Sequence, residues 1–195
     1  MEFQEIWHLA ISIAVLTLVF AFQGIDKLDV MIHLLPILFV AMIFTFVFHE
    51  LAHRYVARHY GFVAEYRMYP FGLLLAAVIA LATNGWLKFA APGAVMIHPK
   101  IDLWGRSRQM NMKIQGIIAL SGPLVNIIIG ALALVWTFFT SAWNEYAMAV
   151  ASINIVLALF NLIPFPPLDG QKIFSWNKII WIAMIAVTAG MLFFV

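Results

Sequence analysis

The stretch "LLPILFVAMIFTFVF", residues 34–48, carries no charged side chain and runs straight into "HELAH", residues 49–53. With its neighbours it reaches the roughly 20 apolar residues that cross a hydrocarbon slab as a helix. Similar runs occupy 6–23, 114–140, 146–163 and 177–195. In a bilayer each such run must satisfy its own backbone N–H and C=O groups, so it folds as a helix. Of the 195 residues, 65% are hydrophobic and 10% charged, against about 25% charged in soluble domains. Little chain remains for a separate soluble domain of about 100 residues. The expected fold is an all-α polytopic membrane protein of about 5–6 transmembrane helices, forming one domain over residues 1–195.

The segment 71–97 is the ambiguous part. "FGLLLAAVIALA" gives about 18 Å of helix, against a core of about 30 Å. "TNGWLKFAAPGAVMI" follows, broken by Gly, Asn, Lys and Pro. A re-entrant segment, or two short crossings, fits both halves, and "FAAPGAVMI" reads as a short strand. Irregular backbone is allowed at membrane depth where protein or a cavity surrounds it.

Charge placement bears on topology. Arg54, Arg58 and Arg67 follow the second apolar run; Lys88, Lys100, Arg106, Arg108 and Lys113 lie in or after the ambiguous segment; Lys172 and Lys178 precede the last run. If 71–97 returns to the side it left, all of these share one face with only Lys27 opposite, and the positive-inside rule makes that face cytoplasmic. The N-terminus would then be inside and the C-terminus outside. "MEFQEIWHLA" has no Lys or Arg, so the first run is expected to be a retained helix, not a cleaved signal. The expected location is the cell membrane, multi-pass, with the bilayer as a partner. The absence of cysteine excludes disulfides, thiolate metal sites and cysteine nucleophiles. The dispersed basic residues do not make a nucleic-acid surface.

Ionisable groups at the end of an apolar run are expensive unless they have a function. On a helix, His49 and His53 lie one turn apart on one face and can share a metal ion. Glu50 adjoins the first ligand and can reach a water on that ion. This is the zinc-peptidase arrangement, in which zinc lowers the pKa of its water toward 7 and the glutamate takes the proton as general base. A polar helix end with locally bonded histidines is the plain alternative.

Catalytic zinc takes three protein ligands plus water, one ion per chain. On the expected topology Asp26, Asp29, His33 and Glu145 lie on the far side, and Glu2, Glu5 and His8 are terminal. His59, Glu65, His98, Asp102 and Asp169 remain as candidates for the third ligand. A continued helix turns His59 to another face. Asp169 sits in "NLIPFPPLDGQK", where prolines impose a non-helical path; it reads equally as a ligand or as a turn aspartate before Gly170.

"HELAH" late in an apolar helix, with "FNLIPFPPLDG" more than a hundred residues later and "SGPLVN" at 121–126 between them, resembles the site-2 proteases. These are intramembrane zinc metalloproteases of regulated proteolysis. The resemblance covers about 34–175. It implies that His49, His53 and Asp169 bind zinc and that Glu50 activates the water. Asn161 matches an asparagine that stabilises the transition state or positions substrate. The substrate class it implies is a transmembrane protein cut within or near its span. "FAAPGAV" resembles a membrane-associated strand of the family that pairs with extended substrate. Ala52 stands where the family usually has glycine, and Gln171 follows Gly170 where many members have a second glycine. Neither a PDZ nor a CBS domain is recognisable, and the active site is expected toward the cytoplasmic side.

Two other readings of HELAH are possible. A prenyl-protein type of membrane zinc hydrolase uses a downstream glutamate, but only Glu145 follows residue 65. A metal transporter or sensor would show paired repeats with broken helices, and none is visible. The sequence does not specify the substrate or the oligomeric state.

Overall fold

The computed structural model describes residues 3–88, 91–101, 104, 109–139 and 141–195. Eight α-helices and a two-stranded sheet make up the architecture of these residues. Helix α1 spans Phe3–Ala21. Helix α2, Leu28–Met42, continues through a π-helical turn, Ile43–Val47, into α3, Phe48–His59. Strand β1 is Phe62–Met68, α4 is Pro70–Ala82 and β2 is Gly93–Pro99. Then come α5, Met112–Phe139; α6, Asn144–Asn161; α7, Asp169–Trp176; and α8, Lys178–Met191.

Three helical stretches are long and apolar enough to cross a membrane: Phe3–Ala21, Ile25–His59 and Met112–Phe139. Many large apolar side chains are exposed along these helices, among them Trp7, Leu18, Phe39, Phe44, Leu132 and Trp136. An apolar exterior of that extent marks a surface that meets something other than water. Pro36 lies inside α2, and the helix nevertheless runs on to His59. At the end opposite HELAH, His33 of α2 stands 3.7 Å from Glu145 of α6. That pair lies 16 residues, about 24 Å along a helix, from His49.

The fold departs from an all-α reading. β1 and β2 pair antiparallel in one register, Phe62 opposite Pro99 through Met68 opposite Gly93. β1 alternates, with Phe62, Ala64 and Tyr66 buried. Helix α3 runs to His59, and residues 62–68, for which the sequence showed no strand, form β1. The strand expected in "FAAPGAVMI" is present from Gly93 onward; Phe89 and Ala90 lie outside the described residues. The proline-rich turn is shorter than expected because a helix begins at Asp169.

The segment between the strands leaves and returns at one place. The Tyr69 N–H donates to the Pro92 carbonyl at 2.8 Å. Between them α4 packs Ala76 and Ala80 on Val19 of α1 and on Phe22 just past its end. The turn beyond α4 meets the α1–α2 corner, where the Ile25 N–H donates to Asn84 Oδ1 at 2.9 Å. Lys88 Nζ then donates to the Val19, Phe20 and Phe22 carbonyls, placing a cation at the negative end of α1.

A buried polar junction fixes α1 to α3 and the sheet. Glu5 Oε1 is 2.7 Å from Arg54 Nε and accepts the Tyr66 N–H at 3.1 Å. The Tyr66 hydroxyl lies 2.9 Å from Ser12 Oγ and donates to the Pro92 carbonyl. Its ring meets Phe46 edge to face, centroids 5.5 Å apart. Removing one partner of a buried ion pair strands the other charge, at a cost of about 3–5 kcal/mol. Glu5→Ala should therefore lower the melting temperature in detergent markedly, and Glu5→Gln, which keeps an acceptor for Tyr66 N–H, should lower it less. Equal melting temperatures for all three proteins would show that the junction contributes nothing.

Candidate active site

Successive residues on a helix turn by about 100°, so His49, His53 and Glu50 fall within a narrow arc of α3. All three are buried. The two histidines face α5 and the start of α7, and the packing there is close enough to exclude side chains. A Cβ on Gly122 of α5 would lie 2.4 Å from His53 Nε2 and 2.7 Å from His49 Cε1. Glycine is thus required for α5 to pass against both rings. Gly170 does the same for α7: a Cβ there would lie 2.1 Å from the Leu162 carbonyl oxygen. That contact brings the first turn of α7, with Asp169, back under the end of α6.

Asp169 completes the group. Its Oδ2 is 3.3 Å from His49 Nε2 and 3.0 Å from His53 Nε2, and the two Nε2 atoms are 3.0 Å apart. Two ligands at about 2.0–2.1 Å from a tetrahedral zinc are about 3.3 Å from each other. The triangle of donors is therefore close to one face of such a site, and its chemistry, two imidazoles and a carboxylate, suits zinc. Among the described residues this is the group of His, Asp and Glu whose donor atoms come together, all within 4.8 Å. The other candidates are elsewhere. His59 and His98 are exposed, and Glu65 pairs with Arg67 at 2.7 Å. Asp102 lies outside the described residues.

The surroundings orient the donors. His53 Nδ1 is 2.8 Å from the Ile118 carbonyl; donating there, the ring keeps its Nε2 lone pair for a cation. Ser121 Oγ donates to the same carbonyl at 2.6 Å. The second carboxylate oxygen of Asp169, Oδ1, is 3.4 Å from Lys172 Nζ, one turn along α7.

Glu50 faces the sheet. Because the Tyr66 N–H goes to Glu5, Tyr66 and its partner Val95 form a non-hydrogen-bonded pair. The Val95 N–H and C=O then point away from β1, and the Val95 amide faces the Glu50 carboxylate. The outer edge of β2 thus runs beside the histidine cluster with backbone groups unpaired by the sheet. Asn161 ends α6, its amide donating to the Leu157 carbonyl at 3.1 Å; it makes no bond to the three donors. Sequence reading passed over the Val95 amide beside Glu50, the Ile118 carbonyl and the Glu5 contact, because backbone groups and long-range contacts leave no residue-type signal.

Residues 139–183 match the model of peptidase family M50. A protein of Methanocaldococcus jannaschii named "Putative zinc metalloprotease MJ0611" is 35% identical over 184 residues, covering 91% of this chain and 87% of that protein. "Putative zinc metalloprotease YwhC" of Bacillus subtilis is 29% identical over 160 residues, 72% of this chain and 68% of its own. "Zinc metalloprotease MJ0392", also of M. jannaschii, is 33% identical over 140 residues, 70% of this chain and 33% of its own. No solved structure matches the chain. The first of these relatives is matched over nearly the whole of both chains, and the matched family model spans both Asn161 and Asp169, so the chain belongs to peptidase family M50.

Proposed function

We propose that this M50 peptidase is an intramembrane zinc metalloprotease that hydrolyses peptide bonds within or near the transmembrane segments of membrane-protein substrates. The observation that carries the proposal is the convergence of His49, His53 and Asp169 beside Glu50 in a helical bundle with an apolar exterior. In this reading the two histidines and the aspartate hold one zinc per chain. Bound there, zinc supplies a Lewis acid that polarises the scissile carbonyl and makes water acidic enough to attack at neutral pH. Glu50 takes the proton from the attacking water and returns it to the leaving amine. Asn161 positions substrate or stabilises the transition state from the end of α6.

A spanning helix satisfies its own backbone, which shields each carbonyl. The substrate must unwind locally, and the outer edge of β2 at Val95 offers an extended partner for the unwound stretch. One domain over residues 1–195 performs all of these steps. In this reading the chain crosses five times: through the three long apolar stretches, α1, α2–α3 and α5, and through the shorter α6 and α8. The stretch around α4 re-enters and returns, as the bond from Tyr69 to Pro92 supports. Arg54, Arg58 and Arg67 at and after the end of α3, Lys100 and Lys113 around the start of α5, and Lys172 and Lys178 around α7 then lie on the cytoplasmic side of a cell membrane, with the active site toward them. Lys88, expected with them, instead joins Lys27 at the α1–α2 corner on the opposite side.

The direct test is proteolysis in reconstituted vesicles with a single-span substrate. The wild-type protein should cut within or at the edge of the span. Glu50→Gln should keep zinc and helix content while losing turnover by about 10²–10⁴-fold, the usual contribution of a positioned general base. Cleavage by Glu50→Gln at the wild-type rate, or cuts confined to the soluble flanks, would contradict the proposal.

Topology has its own test, which the absence of native cysteine makes clean. A cysteine at Gln109 should label only from the cytoplasmic side, and one at Glu145 only from outside. Labelling of both positions from the same side would overturn the five-crossing arrangement.

A further inference from the structure

The two histidines of the cluster are anchored unequally. His53 Nδ1 has the Ile118 carbonyl at 2.8 Å. His49 Nδ1 is buried and has no partner within hydrogen-bond distance. If His49 Nε2 is to offer its lone pair to a cation, the ring proton sits on Nδ1, and that N–H needs an acceptor.

One buried polar side chain lies beside this ring. Asn126 of α5 is fully buried, lies against the His49 ring, and has both its Oδ1 and its Nδ2 unpartnered. Its place in the fold is regular. Ile118, Gly122 and Asn126 are spaced four apart on α5 and so form one stripe. Opposite them on the α2–α3 helix, Thr45, His49 and His53 have the same spacing. Ile118 meets His53, Gly122 passes both rings, and Asn126 meets His49. The two helices run antiparallel here, with each histidine matched to one group of α5.

A second asparagine extends the pattern. Asn154 of α6 is also fully buried, and its Nδ2 donates to Thr45 Oγ1 at 2.8 Å, while its Oδ1 has no partner. The unmatched atoms are then two donors, His49 Nδ1 and Asn126 Nδ2, and two acceptors, Asn126 Oδ1 and Asn154 Oδ1. By donor and acceptor type they can be matched in only one order. Fully buried amides inside an apolar bundle are retained where such a network is satisfied.

We propose that Asn126 is a positioning residue for the zinc site: its Oδ1 accepts the His49 Nδ1–H, and its Nδ2 passes the chain to Asn154 Oδ1, directly or through one buried water. Asn154 in turn is fixed on Thr45, one turn before His49. The relay starts and ends on the helix that carries the ligand, so it fixes the ring's rotation relative to its own backbone. This inference rests on the assignment of His49 as a zinc ligand.

The test uses the purified, full-length protein in detergent. Zinc affinity is measured by chelator competition, the cobalt-substituted protein is measured by visible absorption, and the metal-free protein is melted as a control. Asn126→Leu, similar in size and without an acceptor, should bind zinc about 10–100-fold more weakly, the usual effect of losing the group behind a ligating histidine. Its cobalt bands should shift. Asn126→Asp, which keeps the acceptor for His49 but loses the donor to Asn154, should lose less zinc affinity than the leucine variant. If the leucine variant does not fold, Asn126→Ala serves in its place with the same expectation.

Wild-type zinc affinity in Asn126→Leu, while His49→Ala loses zinc, would overturn the relay and leave the ligand assignment standing. Equal weakening in the leucine and aspartate variants, matched by equal loss of metal-free stability, would reduce Asn126 to a packing role. Full zinc affinity in His49→Ala would remove the ligand assignment and the relay with it.

Discussion

The close passage of α5 against α3 at Gly122 is the contact on which the rest of the structure depends. With no Cβ at that position, the backbone of α5 lies against both imidazoles. The Ile118 carbonyl then falls within reach of His53, and α7, which packs on α5 as well, carries Asp169 to the same point. Any larger residue at 122 would push α5 away, and the two halves of the donor set would separate. A site assembled from residues 116 positions apart is thus set by the absence of one side chain.

The second constraint is the cost of polar groups in an apolar bundle. Several buried polar groups near the site are tied to partners on other elements. Glu5 holds Arg54 and the Tyr66 amide, Lys88 takes the carbonyls at the end of α1, and Asn154 holds Thr45. An unpaired charge or amide would be far more expensive here than in water. The polar groups therefore form bridges between elements, and the bridges set where the sheet and α1 stand relative to Glu50.

Much of this was legible in the sequence. The apolar runs marked the long helices, and His49, Glu50 and His53 declared their chemistry through spacing alone. Asp169 was one of five candidates by residue type, and its proline-rich setting did not separate a ligand from a turn aspartate; the resemblance did. β1 was hidden for a physical reason. "FVAEYRM" alternates buried and outward positions, but Glu65 and Arg67 on its outer face interrupt the apolar pattern that would mark a strand. The strand exists because β2 returns to it from 25 residues away and because Glu5 bonds its outer amide, neither of which is local. The helix at Asp169 was missed because three prolines end immediately before it, and prolines that forbid a helix within themselves permit one to start just beyond. Asn126 lay in a patch that resemblance singled out, yet only its burial beside His49 gives it a task.

The central claim is that two histidines of one helix and an aspartate from 116 residues further on hold a single zinc ion. X-ray absorption at the zinc edge of the purified protein measures this directly. The account predicts one zinc per chain with two imidazole ligands and oxygen ligands at about 2.0–2.1 Å, and loss of bound zinc in Asp169→Ala. A zinc shell of three or more imidazoles, or a spectrum and stoichiometry unchanged by Asp169→Ala, would contradict it.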